Sequence, residues 1–310
     1  MQERKNKKRF ILLVALTLAT LIAFWLLQPE NRLDVDQDIF QVEDLSAISK
    51  VELVSDTSAV SLSFNGSRWR VNEKYDADGS MIRVLFATLQ QAAPKRPVTS
   101  FRQDSVYNHL LNKGIKVSLY EGDELKKEFF VGGNSAKTQG FFADPFSKEV
   151  YVMAIPGYRV YVSGIFELGE SGWRDKFVFG FHWRNFKSLE ADFLKSPAEN
   201  FEVTMDRGYL SIEGLPNGDT SKLNTFLDDV SLLTVDEYIS EPWLRDSLLN
   251  LSPDFQLGVT DIANRTYRLR LYNNPVSETV MGIVHEDQPA LFDRKKIQRL
   301  LKPKSFFGKK

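Results

Sequence analysis

One order of secondary-structure signals occurs twice in this chain, and it limits the possible folds more than any single motif does. In the first copy, Ile48–Val54 and Val60–Phe64 alternate apolar and polar residues, as half-buried strands do. Asn65-Gly66 is a hairpin signal, and apolar residues at helical spacing follow within Met81–Leu89. Alternating stretches between residues 115 and 153 then predict two further strand pairs.

The second copy begins with the strand-like stretches Phe201–Met205 and Tyr209–Ile212. A helix with an apolar face from Leu223 to Leu233 follows them. Strand signals between residues 255 and 284, and a terminal helix from about Asp293, complete this copy. The match, which lies in the pattern rather than in residue identity, fits the duplication of an α+β unit.

The repeated order predicts an α+β fold. Each module has an antiparallel sheet with an amphipathic helix on one face, because a sheet and a helix bury their apolar sides against each other. We place the first module at residues 47–185 and the second at residues 186–310, the second ending in a basic helix and tail.

An uncharged apolar run, Phe10–Leu27, precedes the modules and follows a basic cluster within residues 1–9. As a helix, the run spans roughly 27 Å, about the thickness of the hydrocarbon core of a bilayer. We predict a transmembrane anchor that includes Phe10, Trp25 and Leu27, with residues 28–46 as a polar linker. A cleaved signal peptide is the alternative, although the bulky end of the run does not suit cleavage.

This anchor predicts a location. The basic flank stays in the cytoplasm by the positive-inside rule, so the protein is a single-pass protein of the inner (cytoplasmic) membrane with its bulk in the periplasm. The chain contains no cysteine, which excludes disulfides, thiolate metal sites and cysteine nucleophiles.

The net charge of −1 conceals an asymmetry along the chain. Residues 1–9 carry +4 and residues 294–310 carry +8, so the segment between them carries −13. This acidic body argues against a nucleic-acid partner. The basic C-terminal segment either contacts anionic lipid head groups or an acidic partner, or is a solvated helix end that frays.

The order of several short motifs resembles a bacterial family known as domain of unknown function 4340. After the N-terminal anchor, these motifs are Val51-Glu52-Leu53, Trp69-Arg70-Val71, the helix Ile82–Leu89, Gly132-Gly133-Asn134, Gly140-Phe141-Phe142-Ala143-Asp144, Val150-Tyr151-Val152 and Trp173-Arg174-Asp175-Lys176. One departure is Asn112-Lys113-Gly114-Ile115, where the family has a Tyr-Gly-Leu-Asp-like tetrad. The resemblance implies a periplasm-facing accessory component of gliding-type ABC exporters. It implies no catalytic residues.

The residues themselves carry no catalytic or metal-binding spacing. His109, His182 and His285 lie far apart in sequence, and each fits a structural or surface position. Gly132-Gly133-Asn134 fits either an anion-binding nest or a hairpin turn with positive φ. We therefore predict no catalytic residues, no cofactor and no metal.

Aromatic residues are abundant between residues 141 and 183. Core packing explains most of them, but several stand beside arginine, a mixture that is typical of binding surfaces. The predicted partner surface consists of Tyr158, Arg159, Tyr161, Trp173, Arg174 and Trp183.

We therefore expect a non-enzymatic, membrane-anchored, extracytoplasmic binding or scaffold protein. Its expected partners are the inner membrane and a membrane protein complex, with ABC transporter subunits as the first candidates. Two alternatives are an envelope hydrolase that acts on wall or glycan, which needs convergent carboxylates or histidines, and a periplasmic lipid carrier, which needs a long apolar cavity. The oligomeric state is left open.

Overall fold

The structure is a computed structural model that describes residues 2–26, 36–42, 44–272, 277–285 and 287–309. The chain divides into two compact units. The first unit contains residues up to Lys74 and Gly79–Gly169, and the second contains Tyr75–Asp78 and the chain from Glu170 onward.

The first unit contains an antiparallel sheet. Eight of its strands belong to the first unit, and they lie in the order β3-β2-β1-β6-β7-β8-β9-β5. Their bounds are β1 Lys50–Val54, β2 Ala59–Phe64, β3 Trp69–Val71, β5 Ala93–Pro97, β6 Ile115–Glu121, β7 Glu124–Gly133, β8 Gly140–Ala143 and β9 Val150–Ala154, while β4, Tyr75–Asp76, falls in the second unit.

Two helices lie among these strands. Helix α2, Gly79–Gln91, buries Ile82, Leu85 and Leu89, which are three or four residues apart and therefore share one face. Helix α3, Ser100–Lys113, buries Leu110. The polar face of each helix stays in solvent, as the amphipathic pattern predicts.

The second unit contains another antiparallel sheet. Its described strands lie in the order β12-β11-β10-β14-β15-β16-β17-β13. Their bounds are β10 Phe186–Phe193, β11 Phe201–Asp206, β12 Tyr209–Ile212, β13 Glu237–Tyr238, β14 Phe255–Asp261, β15 Thr266–Tyr272, β16 Thr279–Val284 and β17 Gln288–Asp293.

The second unit also contains α4 Glu170–Trp173, α5 Thr220–Ser231, α6 Pro242–Leu249 and α7 Arg294–Leu300. Helix α5 buries Leu223, Phe226, Leu227 and Val230 in a core shared with both ends of the sheet. The sequence predicts Thr220 or Ser221 as its N-cap. The structure shows Asp219 instead, whose carboxylate accepts hydrogen bonds from the backbone N–H groups of Ser221 and Lys222.

The two sheets have the same strand order. Strands β10 to β12 correspond to β1 to β3, and β13 to β17 correspond to β5 to β9, while β4 has no counterpart. With this matching, the strand order of the second sheet is the same as that of the first. Helices α2 and α5 then follow the third strand, and α3 and α6 precede the sixth. The α+β class with two antiparallel sheets is confirmed, and the topology supports a duplication.

The predicted N-terminal anchor falls in helix α1, Gln2–Leu26. Phe10 and Trp25 lie in this helix, whereas Leu27 lies outside the described residues. Within the described part of the chain, no helix is both long enough and apolar enough to cross a membrane, so a transmembrane span at 10–27 is not confirmed.

The segment predicted as a linker is described in part, from residue 36 onward with a gap at residue 43. Phe40 in this segment is buried, and its ring contacts the rings of Phe129, Phe142 and Tyr151 edge-on. The described end of the segment is therefore fastened to the first unit by an aromatic cluster.

The basic C-terminal segment is folded onto the second unit through residue 309. Phe307 is fully buried, and its ring lies 5.1 Å from that of Phe201 and 5.4 Å from that of Phe226. The backbone N–H of Asp219 donates to the Phe307 carbonyl at 2.7 Å. The expectation that this tail frays is wrong, because an aromatic anchor holds it in the core.

Candidate functional site

An apolar groove lies along α2 in the first unit, and we call it the α2 groove. Its other wall is the segment that follows β9, residues 155–168. The groove has a volume of about 500 Å³, within the range of ligand sites. Its lining residues are Met81, Val84, Ala87, Thr88, Gln91, Ile155, Tyr158, Val160, Tyr161, Val162, Gly164, Ile165 and Leu168.

The lining of the α2 groove has no charged side chain. Val84 is 45% exposed, Tyr158 67% and Val160 52%, so the groove has an open apolar rim. The hydroxyl of Thr88 donates to the Val84 carbonyl at 2.8 Å and is therefore satisfied within the helix. Such a groove is suited to an apolar surface rather than to a charged substrate.

Glycines in the sheet allow the 155–168 segment to lie close to it. A Cβ at Gly133 would stand 2.1 Å from the Tyr161 hydroxyl oxygen, and one at Gly140 would stand 2.6 Å from Ser163 Oγ. Ser163 Oγ donates to the Gly132 carbonyl at 2.6 Å. Gly132 and Gly133 end strand β7 and do not have positive φ, so the predicted positive-φ turn is wrong at these residues.

Tyr161 is held in place by a short polar chain. Its hydroxyl donates to the Glu167 carboxylate, and Lys137 Nζ lies 2.8 Å from the same carboxylate. Burial, with an additional contribution from Glu167, raises the pKa of Tyr161 far above its usual range. The hydroxyl therefore stays protonated, and it positions the groove wall rather than exchanging protons.

A sequence model of a family described as a domain of unknown function (DUF4340) matches residues 69–254, which is more than half of the chain. The chain belongs to the DUF4340 family. No curated protein and no solved structure matches it. All lining residues of the α2 groove lie within the DUF4340 region, whereas α1 and the C-terminal segment from β14 onward lie outside it.

The six residues of the predicted partner surface divide equally between the two units of this DUF4340 protein. Tyr158 and Tyr161 line the α2 groove, and Arg159 is exposed between Tyr158 and Val160. In the second unit, Trp183 is 39% exposed, and its Nε1 donates to Asp228 Oδ1 at 3.2 Å.

Trp173 and Arg174 are buried, at 0% and 5% exposure, and in this conformation they cannot contact a partner. The Arg174 guanidinium carbon lies 3.6 Å from the ring centroids of both Tyr75 and Tyr238, so the cation stands between two aromatic faces. Burial lowers the pKa of Arg174 and raises that of Tyr238 to about 12.

Backbone hydrogen bonds fasten this cluster. Asp175 N–H donates to the Asp76 carbonyl and Asp78 N–H to the Trp173 carbonyl, both at 2.8 Å. The Tyr238 hydroxyl donates to the Asp175 carbonyl at 2.8 Å. The cluster therefore ties residues 75–78 to the chain at 173–175, which is a structural role.

The histidines do not form a site in the structure. His109, His182 and His285 are each exposed. Among the residues that the structure describes, no group of three or more histidine or carboxylate side chains is arranged to hold a metal ion. The α2 groove is thus the feature of the DUF4340 region best suited to binding.

In the second unit, the chain that follows the last strand packs against the equivalent helix. Helix α5 corresponds to α2, and it packs against α7 and against residues 304–307, which follow the last strand of that sheet. The ring of Phe307 fills part of this position. In the first unit, the corresponding segment 155–168 contains only a short 3₁₀ turn, Val162–Ile165, and the groove stays open.

Proposed function

We propose that this DUF4340 protein is a membrane-anchored, extracytoplasmic binding protein that acts as a scaffold beside a membrane complex. In this proposal, the α2 groove holds an apolar helix of a partner protein. The family resemblance makes subunits of an ABC-type transporter the first candidates for that partner.

The open α2 groove is the observation that carries this proposal. In the duplicated unit, helix α7 and Phe307 pack against α5, the counterpart of α2. A helix from another protein would complete the first unit in the same way. A groove of this kind can bind the apolar face of an amphipathic helix. The groove side chains of α2 include the apolar residues Met81, Val84 and Ala87.

The open rim favours a protein partner over a lipid. An acyl chain in this groove would stay in contact with water, because Val84, Tyr158 and Val160 stand at the surface. A folded partner would cover these side chains as well as fill the groove. Tyr158 and Arg159 also belong to the residue types that are enriched at protein interfaces.

Two features of α1 support the anchor. Its apolar side chains from Phe10 to Ile22 are largely exposed, as a surface that faces lipid must be. Lys7, Lys8 and Arg9 precede them as a basic flank. A tether of this kind would raise the local concentration of the partner at the membrane.

Substitutions that introduce a charged side chain into the α2 groove test whether a partner binds there. We expect Val84→Asp and Val160→Asp to lower copurification of the detergent-solubilised protein with its membrane partner by roughly tenfold or more. Val54→Asp is the matched control, since Val54 is also a surface valine of the first unit, 41% exposed, and lies outside the groove. Circular dichroism and a thermal unfolding curve would establish that all three variants fold.

A photo-crosslinking residue at Val84, with one at Val54 as control, identifies the occupant in intact cells. We expect a crosslink from position 84 to an apolar helix of a membrane-embedded subunit. A lipid adduct would replace the scaffold by the lipid carrier. Equal partner recovery for all three aspartate variants, or hydrolysis of wall or glycan by the purified protein, would contradict the proposal.

A further inference from the structure

The C-terminal segment belongs to the second unit and forms a surface that the proposed function does not use. We call it the lysine surface, and it consists of Lys222, Lys302, Lys304, Phe306 and Lys309. We propose that the lysine surface binds the head groups of an anionic lipid bilayer.

Packing and hydrogen bonds hold the lysine surface against the second unit. Phe307 is fully buried, and Gly308 forms an isolated bridge with Gly218. Lys222 Nζ donates to the Phe306 carbonyl at 2.9 Å, which joins the first turn of α5 to the end of the chain. Because Phe307 faces the core, its neighbour Phe306 faces outward and is 38% exposed.

Cations surround the exposed ring. Lys222 Nζ lies 5.0 Å and Lys302 Nζ 5.3 Å from the centroid of Phe306, and both ammonium groups therefore make cation–π contacts with it. Lys304 Nζ lies beside Gly214, and Lys309 is exposed after the bridge.

Two carboxylates lie near the lysine surface, and the groups that donate hydrogen bonds to them are uncharged. Glu199 accepts hydrogen bonds from Ser305, and Asp219 caps α5. Within the described part of the chain, the structure contains no ion pair between Lys222, Lys302, Lys304 or Lys309 and a carboxylate. The four lysines outnumber these two carboxylates, so the surface has more basic than acidic groups, on a body that is acidic overall.

This combination fits a bilayer better than other anionic partners. Lysine side chains hold an ammonium group on a long apolar stem, and an exposed phenylalanine can enter the interfacial region between them. Basic residues near a charged membrane act additively, without the fixed geometry that an acidic peptide needs. A nucleic acid would face repulsion from the acidic body.

Because the chain has no cysteine, a single introduced cysteine can carry an environment-sensitive fluorophore. In the full-length protein, Ser221→Cys places the label beside Lys222, at the exposed start of α5. Leu232→Cys places a control label just beyond the other end of α5, where Leu232 is 69% exposed. The probes are vesicles of equal parts phosphatidylglycerol and phosphatidylcholine, and vesicles of phosphatidylcholine alone.

We expect the label at position 221 to shift its emission to the blue with the anionic vesicles only, and the label at position 232 not to respond. Lys302→Glu with Lys304→Glu should weaken the response by roughly fivefold for each lysine lost. Lys95→Glu with Lys148→Glu is the control, because it makes the same change in net charge at exposed lysines of the first unit.

Vesicle flotation establishes that each labelled protein is on the bilayer, so binding through α1 cannot be mistaken for binding through the lysine surface. An equal shift with both vesicle types would overturn the inference, as would no shift in vesicle-bound protein or an equal loss in the two double variants. Capture of an acidic protein at position 221 with no vesicle response would assign the surface to a protein instead. None of these outcomes depends on the α2 groove.

Discussion

At the scale of single residues, the neighbours Arg174 and Asp175 differ in how their charges are compensated. Burial disfavours the charged form of each side chain. It therefore lowers the pKa of Arg174 and raises that of Asp175. Two tyrosine faces stabilise the arginine cation. The Asp175 carboxylate instead has the negative charges of Asp78 and Asp76 nearby, which raise its pKa further, although the Phe177 N–H and His285 oppose this.

This difference predicts the effect of Asp175→Asn on stability. The folded-state pKa of Asp175 lies above its unfolded value. The free energy of unfolding of the wild-type protein therefore decreases as the pH rises through the folded-state pKa and this carboxyl group loses its proton. Asparagine keeps the oxygen that accepts the Phe177 N–H, without the charge. We expect the variant to be more stable than wild type at pH 7 to 8 by on the order of 1 kcal/mol, and the difference to disappear in acid.

Urea unfolding of the two proteins at several pH values measures this difference. Asp206→Asn, at an exposed aspartate, is the control and should change stability little at any pH. A destabilised Asp175→Asn variant at neutral pH would show that the carboxylate charge is favourable in the folded protein.

At the scale of elements, Gly133 of strand β7 leaves the space that Tyr161 of the 155–168 segment occupies. Only the absence of a side chain at Gly133 allows the Tyr161 ring to lie against the sheet. The groove wall therefore has its position because strand and segment are in direct contact. Sequence alone suggested a turn for Gly132-Gly133-Asn134, since glycine is more often required by backbone conformation than by a neighbouring ring.

We expect Gly133→Ala to destabilise the protein by about 1–3 kcal/mol, because the new methyl group overlaps the Tyr161 ring. In a Tyr161→Ala background the same substitution should cost much less, which a double-mutant cycle measures. Gly258→Ala is the control: Gly258 lies in strand β14 with nothing within 4 Å of its Cβ position and no positive φ. Equal costs in both backgrounds would contradict the proposed contact.

At the scale of the whole molecule, duplication explains why one α+β unit is complete and the other leaves a groove. Both units have the same strand order, but the chain after the last strand differs. After β17 it forms a helix and an aromatic anchor, and after β9 it forms only a short turn. The two units therefore share their strand order and differ in the segment that follows the last strand.

The proposed scaffold also needs its tether. A form that begins after residue 28 and is exported by a cleavable signal should keep its thermal unfolding transition, because residues 6–23, the part of α1 whose side chains are described, contribute none to the core. We expect its recovery with the membrane partner in cells to fall by tenfold or more, since the tether no longer raises the local concentration. Attaching an unrelated transmembrane segment should restore recovery, and full recovery without any anchor would show that residues 10–27 serve delivery only.

Sequence patterns predicted most hairpins but not every element. The hairpin predicted from Asn65-Gly66 is confirmed, with φ of +89° at Gly66, but its loop has four residues, 65–68, instead of the two that this dipeptide signals. The sequence does not predict strand β5, because Pro94 and Pro97 indicate the end of a helix. Both prolines fit an edge strand, and β5 lies at the end of the described strand order, beside β9. Asp219 was missed as the cap of α5 because three polar residues stand in a row and only the backbone direction distinguishes them.

The candidate site was predicted less completely than the fold. Tyr158, Arg159 and Tyr161 lie at or beside the α2 groove, but Trp173 and Arg174 are buried. An arginine beside aromatic rings has the same local signature whether the rings stand at the surface or enclose the cation in the core. The local sequence therefore could not distinguish the residues at the groove from the buried pair Trp173 and Arg174.

The sequence by itself determined the duplicated order of strands and helices, the absence of cysteine and the placement of charge, because periodicity and composition are local properties of the chain. Only the tertiary structure decided that a helix packs against α5 after the last strand of the second unit, whereas the first unit has a groove along α2. It also decided that Phe307 holds the lysine surface in place and that Arg174 stands between Tyr75 and Tyr238. These features join residues far apart in sequence, and long-range packing, which sets such contacts, leaves no periodic trace in the sequence.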